Sequence, residues 1–237
     1  MKKRLWFLIL ALAAAGTAAL FWLGVFQLNH PSAEAFPVRG VDVSHYQGTV
    51  DWDRLETQGV LFAYIKATEG SSFEDSAFQT NWENVAHTEL RAGAYHFFSF
   101  ESPGLDQAEN FIHTVSPIEH MLPPVIDIEP YRTFRSIGEL PQAVAEIRDW
   151  LERVESEYGM RPVIYTTEAF YRDRISDAFP GYDIWIRSVY KPPSESVRWK
   201  FWQYSNRVHL EGYEGEERFI DMNAFNGTLE AFEAYGQ

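Results

Sequence analysis

Pro123-Pro-Val-Ile-Asp-Ile-Glu-Pro130 is followed by Leu140 to Tyr158 and then by Val163-Ile-Tyr-Thr166. The architecture is read from this stretch. Val125 to Ile128 is a short apolar run introduced by two prolines, and it predicts a buried strand. Leu140 to Tyr158 has the amphipathic pattern of a long helix, and Gly159 stops it. Val163 to Thr166 is again a strand. The same alternation extends in both directions. Strands are expected at Val38–Ser44, Leu61–Ala67 and Ala92–Phe98, and later at Ile184–Val189, Lys200–Tyr204 and Phe219–Met222. Helices are expected at Trp52–Gln58, Asp75–Glu89 and Leu105–Val115. Such alternation implies an α/β chain with a mainly parallel sheet. Eight strands in roughly 200 residues favour a closed barrel over an open sheet. The runner-up, a doubly wound sheet, would carry a Gly-rich phosphate loop after its first strand, and none is present.

The chain has 237 residues, with 34 acids against 20 bases and a net charge of −14. That balance argues against nucleic acid and anionic lipid surfaces as partners. There are no cysteines, which removes disulfides, thiolate metal sites and a Cys nucleophile. An apolar content of 46% allows a sizeable core. No Gly-x-Ser-x-Gly elbow occurs, and the histidines show no metal-ligand spacing, so neither a metal nor another cofactor is expected.

At the amino end, Lys2, Lys3 and Arg4 precede an uncharged run from Leu5 to Leu28. A helix of that run would be about 36 Å long, enough to span a bilayer. The expectation is a transmembrane signal-anchor over residues 1–28, with the rest outside the cytoplasmic membrane. The alternative is a cleaved signal peptide with Ala33-Glu34-Ala35 near the cut. Residues 29–36 would be a juxtamembrane tether, and 37–237 the folded domain.

In a barrel of this kind, chemistry gathers where strands end. Asp42, Asp127, Glu129 and Asp221 all lie on strand candidates or at their ends. Asp127 and Glu129, two residues apart, point to one face with Cα atoms about 6.6 Å apart. Such a pair holds one proton more tightly, because like charges disfavour double ionisation. One protonated acid beside one carboxylate suits glycoside hydrolysis. Acids that cap a helix or pair with arginines are the bland alternative. The aromatics Tyr64, Tyr95, Tyr165, Trp185, Trp202 and Tyr204 fall on strand candidates, and their convergence near acids favours a sugar cleft. For any one of them, core packing is the simpler reading. His96 reads as a satisfied core histidine.

These residues resemble glycoside hydrolase family 25, the N,O-diacetylmuramidase type of lysozyme. The match runs from about Gly40 to Gly227. It includes Asp42-Val-Ser-His-Tyr-Gln47, Tyr64-Ile-Lys-Ala-Thr-Glu-Gly70, Gly93-Ala-Tyr-His-Phe97 and Leu122-Pro-Pro-Val-Ile-Asp-Ile-Glu129. Further along it includes Tyr158-Gly-Met-Arg-Pro-Val-Ile-Tyr-Thr166, Ile184-Trp-Ile186, Trp202-Gln-Tyr204 and Asp221-Met-Asn223. The resemblance implies an irregular TIM-like (β/α) barrel of eight strands with about five helices. It implies cleavage of the β-1,4 bond between N-acetylmuramic acid and N-acetylglucosamine in peptidoglycan. Glu129 would be the general acid, and Asp127 would orient the substrate acetamide. Asp42 and Asp221 would tune that pair, and the aromatics would grip the sugar. Substrate-assisted retention is favoured, with inversion through a water open. A non-catalytic glycan binder and a chitin-type hydrolase are the alternatives. One departure stands out: after Ile186 the family usually has a small residue, and this chain has Arg187. Arg187 would bind a carboxylate of the muramyl unit or pair with an acid such as Asp183.

Overall fold

The computed structural model of the protein describes residues 2–22, 29–129 and 140–237. The strands are β1 (Arg39–Val43), β2 (Phe62–Glu69), β3 (Phe73–Glu74), β4 (Arg91–Phe97), β5 (Val125–Asp127), β6 (Val163–Thr167), β7 (Asp183–Arg187), β8 (Phe201–Val208) and β9 (Ile220–Phe225). The helices are α1 (Lys2–Trp22), α2 (Trp52–Glu56), α3 (Phe78–Val85), α4 (Gly104–Thr114), α5 (Leu140–Tyr158), α6 (Glu168–Phe170) and α7 (Leu229–Glu233). Eight strands close a barrel in the order β1-β9-β8-β7-β6-β5-β4-β2, with β2 pairing back to β1. The two-residue β3 adds to β2 outside the ring.

Each of the eight expected barrel strands is present. Two features differ from the expected irregular TIM-like barrel. Seven α-helices stand among the described residues, not about five, because α1 and the short α6 and α7 add to the count. The last strand, β9, runs antiparallel to both β8 and β1. No helix among the described residues joins β8 to β9, so the chain returns as a hairpin rather than by a crossover.

Strand alternation divides the core in two. One cluster fills the barrel with Phe62, Tyr64, Trp185, Phe201 and Phe225. The other, with Ile65, Ala94, Ile126, Ile164 and Trp150, lies between the barrel and its helices. The inner rings need room. A Cβ at Gly40 would fall inside the Phe62 ring, and one at Gly93 inside the Tyr64 ring.

The expected membrane span is corrected. Among the described residues no helix is long and apolar enough to cross a membrane. The described helix covers Lys2–Trp22, and 23–28, the last part of the expected span, lie outside the described residues. Beyond its three leading bases the described helix is about 27 Å long, against a hydrocarbon core of about 30 Å. The expected membrane partner and membrane-anchored location fall with it.

Residues 29–36 lie along the barrel wall. Asn29 is buried, and its Nδ2 donates to the Ser188 carbonyl at 2.7 Å. Arg39 donates to the Pro31 carbonyl at 2.6 Å. The Phe36 ring packs 5.7 Å from Trp199 and 5.8 Å from Trp202. This stretch packs on the outer face of β8 at Trp202. Phe36→Ala should therefore destabilise the full chain by about 2 kcal/mol, below the ~3–5 of a fully enclosed Phe. Urea unfolding measures it; an unchanged midpoint would mean that the stretch does not cover β8.

Candidate active site

The inward-facing polar side chains gather at one end of the barrel. Asp42 on β1 and Asp221 on β9 are register partners. Gln203 on β8 bridges them, with Nε2 donating to Asp42 Oδ2 at 3.0 Å and to Asp221 Oδ2 at 2.8 Å. Its Oε1 accepts from the Tyr165 hydroxyl at 2.9 Å. Asn223 Nδ2 donates to Asp42 Oδ2 at 2.7 Å, and Asn223 Oδ1 accepts from Trp185 Nε1 at 2.8 Å. An indole N–H can only donate, so Trp185 fixes which way the Asn223 amide points. Two amides, each held by an aromatic from β6 or β7, thus set the acids of β1 and β9.

Asp127 ends β5 between Phe97 and Tyr165. It is buried, and its Oδ1 has no hydrogen-bond partner among the described residues. Glu129 follows two residues on and is half-exposed. Burial pushes the Asp127 carboxyl well above the usual range, and the nearby Glu129 charge raises it further. Burial also raises Glu129, while the Arg187 charge opposes the shift. The two acids titrate as a pair, and both shifts favour retention of a proton. Burial raises Asp42 to about 6, against the hydrogen bonds from Asn223 and Gln203. Asp221 is raised by burial and by Asp42.

A cleft of about 250 Å³ is lined by Asp42, Asp127, Glu129 and Asp221 together with Tyr95, Tyr165, Trp185 and Arg187. It runs on past Asp42 towards Gln47, Glu217 and Phe219. A larger hollow of about 360 Å³ lies between Phe98–Pro103 and α5, away from these acids.

The structure thus brings together eight of the expected site residues and leaves three elsewhere. Tyr64 is fully buried beneath the cleft, stacked 4.8 Å from Trp185. Trp202 and Tyr204 face outward into the cluster under the helices, and Trp202 Nε1 donates to the Ser188 carbonyl at 2.9 Å. Gln203, between them in sequence, is the inward residue of that strand. Gln203, Asn223, Lys66 and Tyr46 were not singled out from sequence. The signal for Gln203 was available: a polar residue flanked by two aromatics on a strand faces the opposite side from them. Among the described residues no group of three or more His, Asp or Glu is placed to hold a metal ion.

His96 is a satisfied core histidine. It is fully buried, bonded to Thr68 Oγ1 at 2.7 Å and to Gln107 Oε1 at 3.0 Å, and stacked on Trp150. Burial pushes its pKa down to about 4. The folded state therefore disfavours the proton, relative to about 6.5 when unfolded. Stability present above pH ~6.5 should be lost as pH falls through about 4, by up to about 3 kcal/mol. His96→Gln should lack this loss. A stability difference between the two proteins that stays constant from pH 7 to 4 would refute the assignment.

Comparison with known proteins bears on the family and the fold. The family model described as "Glycosyl hydrolases family 25" matches residues 41–213. A solved structure, a family 25 glycosyl hydrolase from Bacillus anthracis, is 46% identical with a TM-score of 0.81, covering 90% of this chain and 98% of that one. Escherichia coli (strain K12) has a similar protein, YegX, itself described as uncharacterized. It is 35% identical over 217 residues, which is 89% of this chain and 76% of YegX. Lysozyme M1 of Streptomyces globisporus is 32% identical over 212 residues, 83% of this chain and 70% of that protein.

Proposed function

The chain belongs to glycosyl hydrolase family 25, and from that premise we infer that it is a lysozyme. It hydrolyses the β-1,4 bond between N-acetylmuramic acid and N-acetylglucosamine in peptidoglycan. The observation that carries the assignment of roles is the pair Asp127 and Glu129, two residues apart and both lining the cleft.

In this reading residues 37–237 form the catalytic domain. Glu129, the more exposed acid, protonates the leaving glycosidic oxygen. The cleft-facing oxygen of Asp127 accepts the N–H of the substrate acetamide and turns the acetamide oxygen onto the anomeric carbon. That oxygen displaces the leaving group, and the Asp127 carboxylate steadies the positive charge that develops on the acetamide. Water then opens the cyclic intermediate, with Glu129 taking its proton. The product keeps its anomeric configuration. Asp42, held by Gln203 and Asn223, keeps further negative charge near Asp127 and helps the pair hold its proton, and Asp221 shares the same Gln203 amide. Tyr95, Tyr165 and Trp185 form the floor and walls against which the sugar rests. Tyr64 supports Trp185 from below, and Trp202 and Tyr204 hold the outer wall.

The test is release of dye from labelled cell wall by the full chain, beside a Glu129→Gln control. Release by the wild type alone supports the reading. Equal release by both, or by neither, would sink it.

A further inference from the structure

Arg187 ends β7 on the same inward face as Trp185, and it lines the cleft beside Asp127 and Glu129. It is half-buried. Among the described residues it forms no ion pair and no side-chain hydrogen bond. The local acid that might have claimed it, Asp183, lies at the other end of the strand and accepts from the Tyr235 hydroxyl at 2.9 Å. Four residue steps along the strand separate the two by about 13 Å. The other cation at this cleft, Lys66, is engaged: its Nζ lies 2.7 Å from Glu69 Oε2 and over the rings of Phe73 and Phe97.

An unpaired guanidinium in a cleft of acids has a specific chemistry. Its planar fork of donors matches a carboxylate through two parallel bonds. The cleft holds four acids, on a chain of net charge −14. Those of the four that are ionised repel an anionic glycan unless a cation meets it. We propose that Arg187 binds a carboxylate carried by the muramyl unit of the substrate, and so selects muramyl glycans over uncharged acetamido-glycans. The inference rests on the lysozyme reading. Two carboxylates share this chemistry: the free lactyl acid of a muramic acid without peptide, and an acid of the peptide stem.

The field of Arg187 also reaches Asp42, Asp127, Glu129 and Asp221 and favours their ionised forms. The rival role is therefore tuning of the acids, and it does not depend on the charge of the substrate.

The test compares full-length wild type with Arg187→Ala and the longer Arg187→Gln, both checked by thermal unfolding. The substrates are glycan strands stripped of peptide, the same strands with the lactyl acid amidated, and stem-bearing glycan before and after amidation of its acids. Wild type should favour a carboxylate form over its amide by about tenfold or more in kcat/KM, as for one charge-assisted bond. Both variants should lose that preference, through KM rather than kcat. A preference confined to stripped strands assigns the lactyl acid, and one confined to stem-bearing glycan assigns the stem. An equal loss on charged and amidated substrates, with a shifted pH profile, would establish the tuning role and overturn the proposal. If wild type cleaves none of these glycans, the lysozyme reading fails and this inference with it.

Discussion

Glu129→Gln should leave a folded protein that no longer cleaves peptidoglycan. The substitution keeps the shape of a half-exposed side chain beside the cleft and removes its proton. General acid–base catalysis contributes about 100- to 10,000-fold, so turnover should fall by that factor. Burial raises the Glu129 carboxyl, which keeps it a proton donor at higher pH than a free glutamate. Circular dichroism should be unchanged. A folded variant retaining more than about a tenth of wild-type turnover would mean that another group is the acid.

Asp127→Asn should reduce turnover by roughly 100- to 1,000-fold, the usual loss when charge stabilisation of a transition state is removed. It should also move the pH profile. Glu129 raises Asp127 through like-charge repulsion, and the interaction is reciprocal. With Asn at 127 the pair has one titrating acid in place of two, and the like-charge repulsion that raised its upper pKa is lost. The alkaline limb of the residual activity should shift to lower pH. A limb that stays in place would show that the two acids are not coupled.

The eight barrel strands are legible in the sequence because each is a short apolar run between helical patterns or turns. The two-residue β3 and the three-residue α6 are too short for any period to register. The direction of β9 is hidden for a different reason: strand patterns carry no sign of direction, and only the lack of a helix before Ile220 hints at a hairpin. At the site, Asp42, Asp127, Glu129 and Asp221 are readable from their positions at strand ends. The aromatics are less so. Trp202 and Tyr204 look like sugar contacts by residue type, but parity turns them outward, where the stretch around Phe36 covers Trp202. The amides Gln203 and Asn223 carry no charge to attract notice, yet they hold the acids in place. The uncharged run from Leu5 to Leu28 reads as a membrane span by composition, whereas the described helix, Lys2–Trp22, is not long and apolar enough to cross one.

The central claim is that this chain cuts on the reducing side of N-acetylmuramic acid. Purified cell wall digested by the full-length protein can be reduced with borohydride and hydrolysed, and the reduced amino sugars identified by mass spectrometry. The account predicts that muramicitol, from newly exposed N-acetylmuramic acid ends, increases with digestion and does not increase with Glu129→Gln. Accumulation of glucosaminitol instead, or no new reducing ends at all, would contradict it.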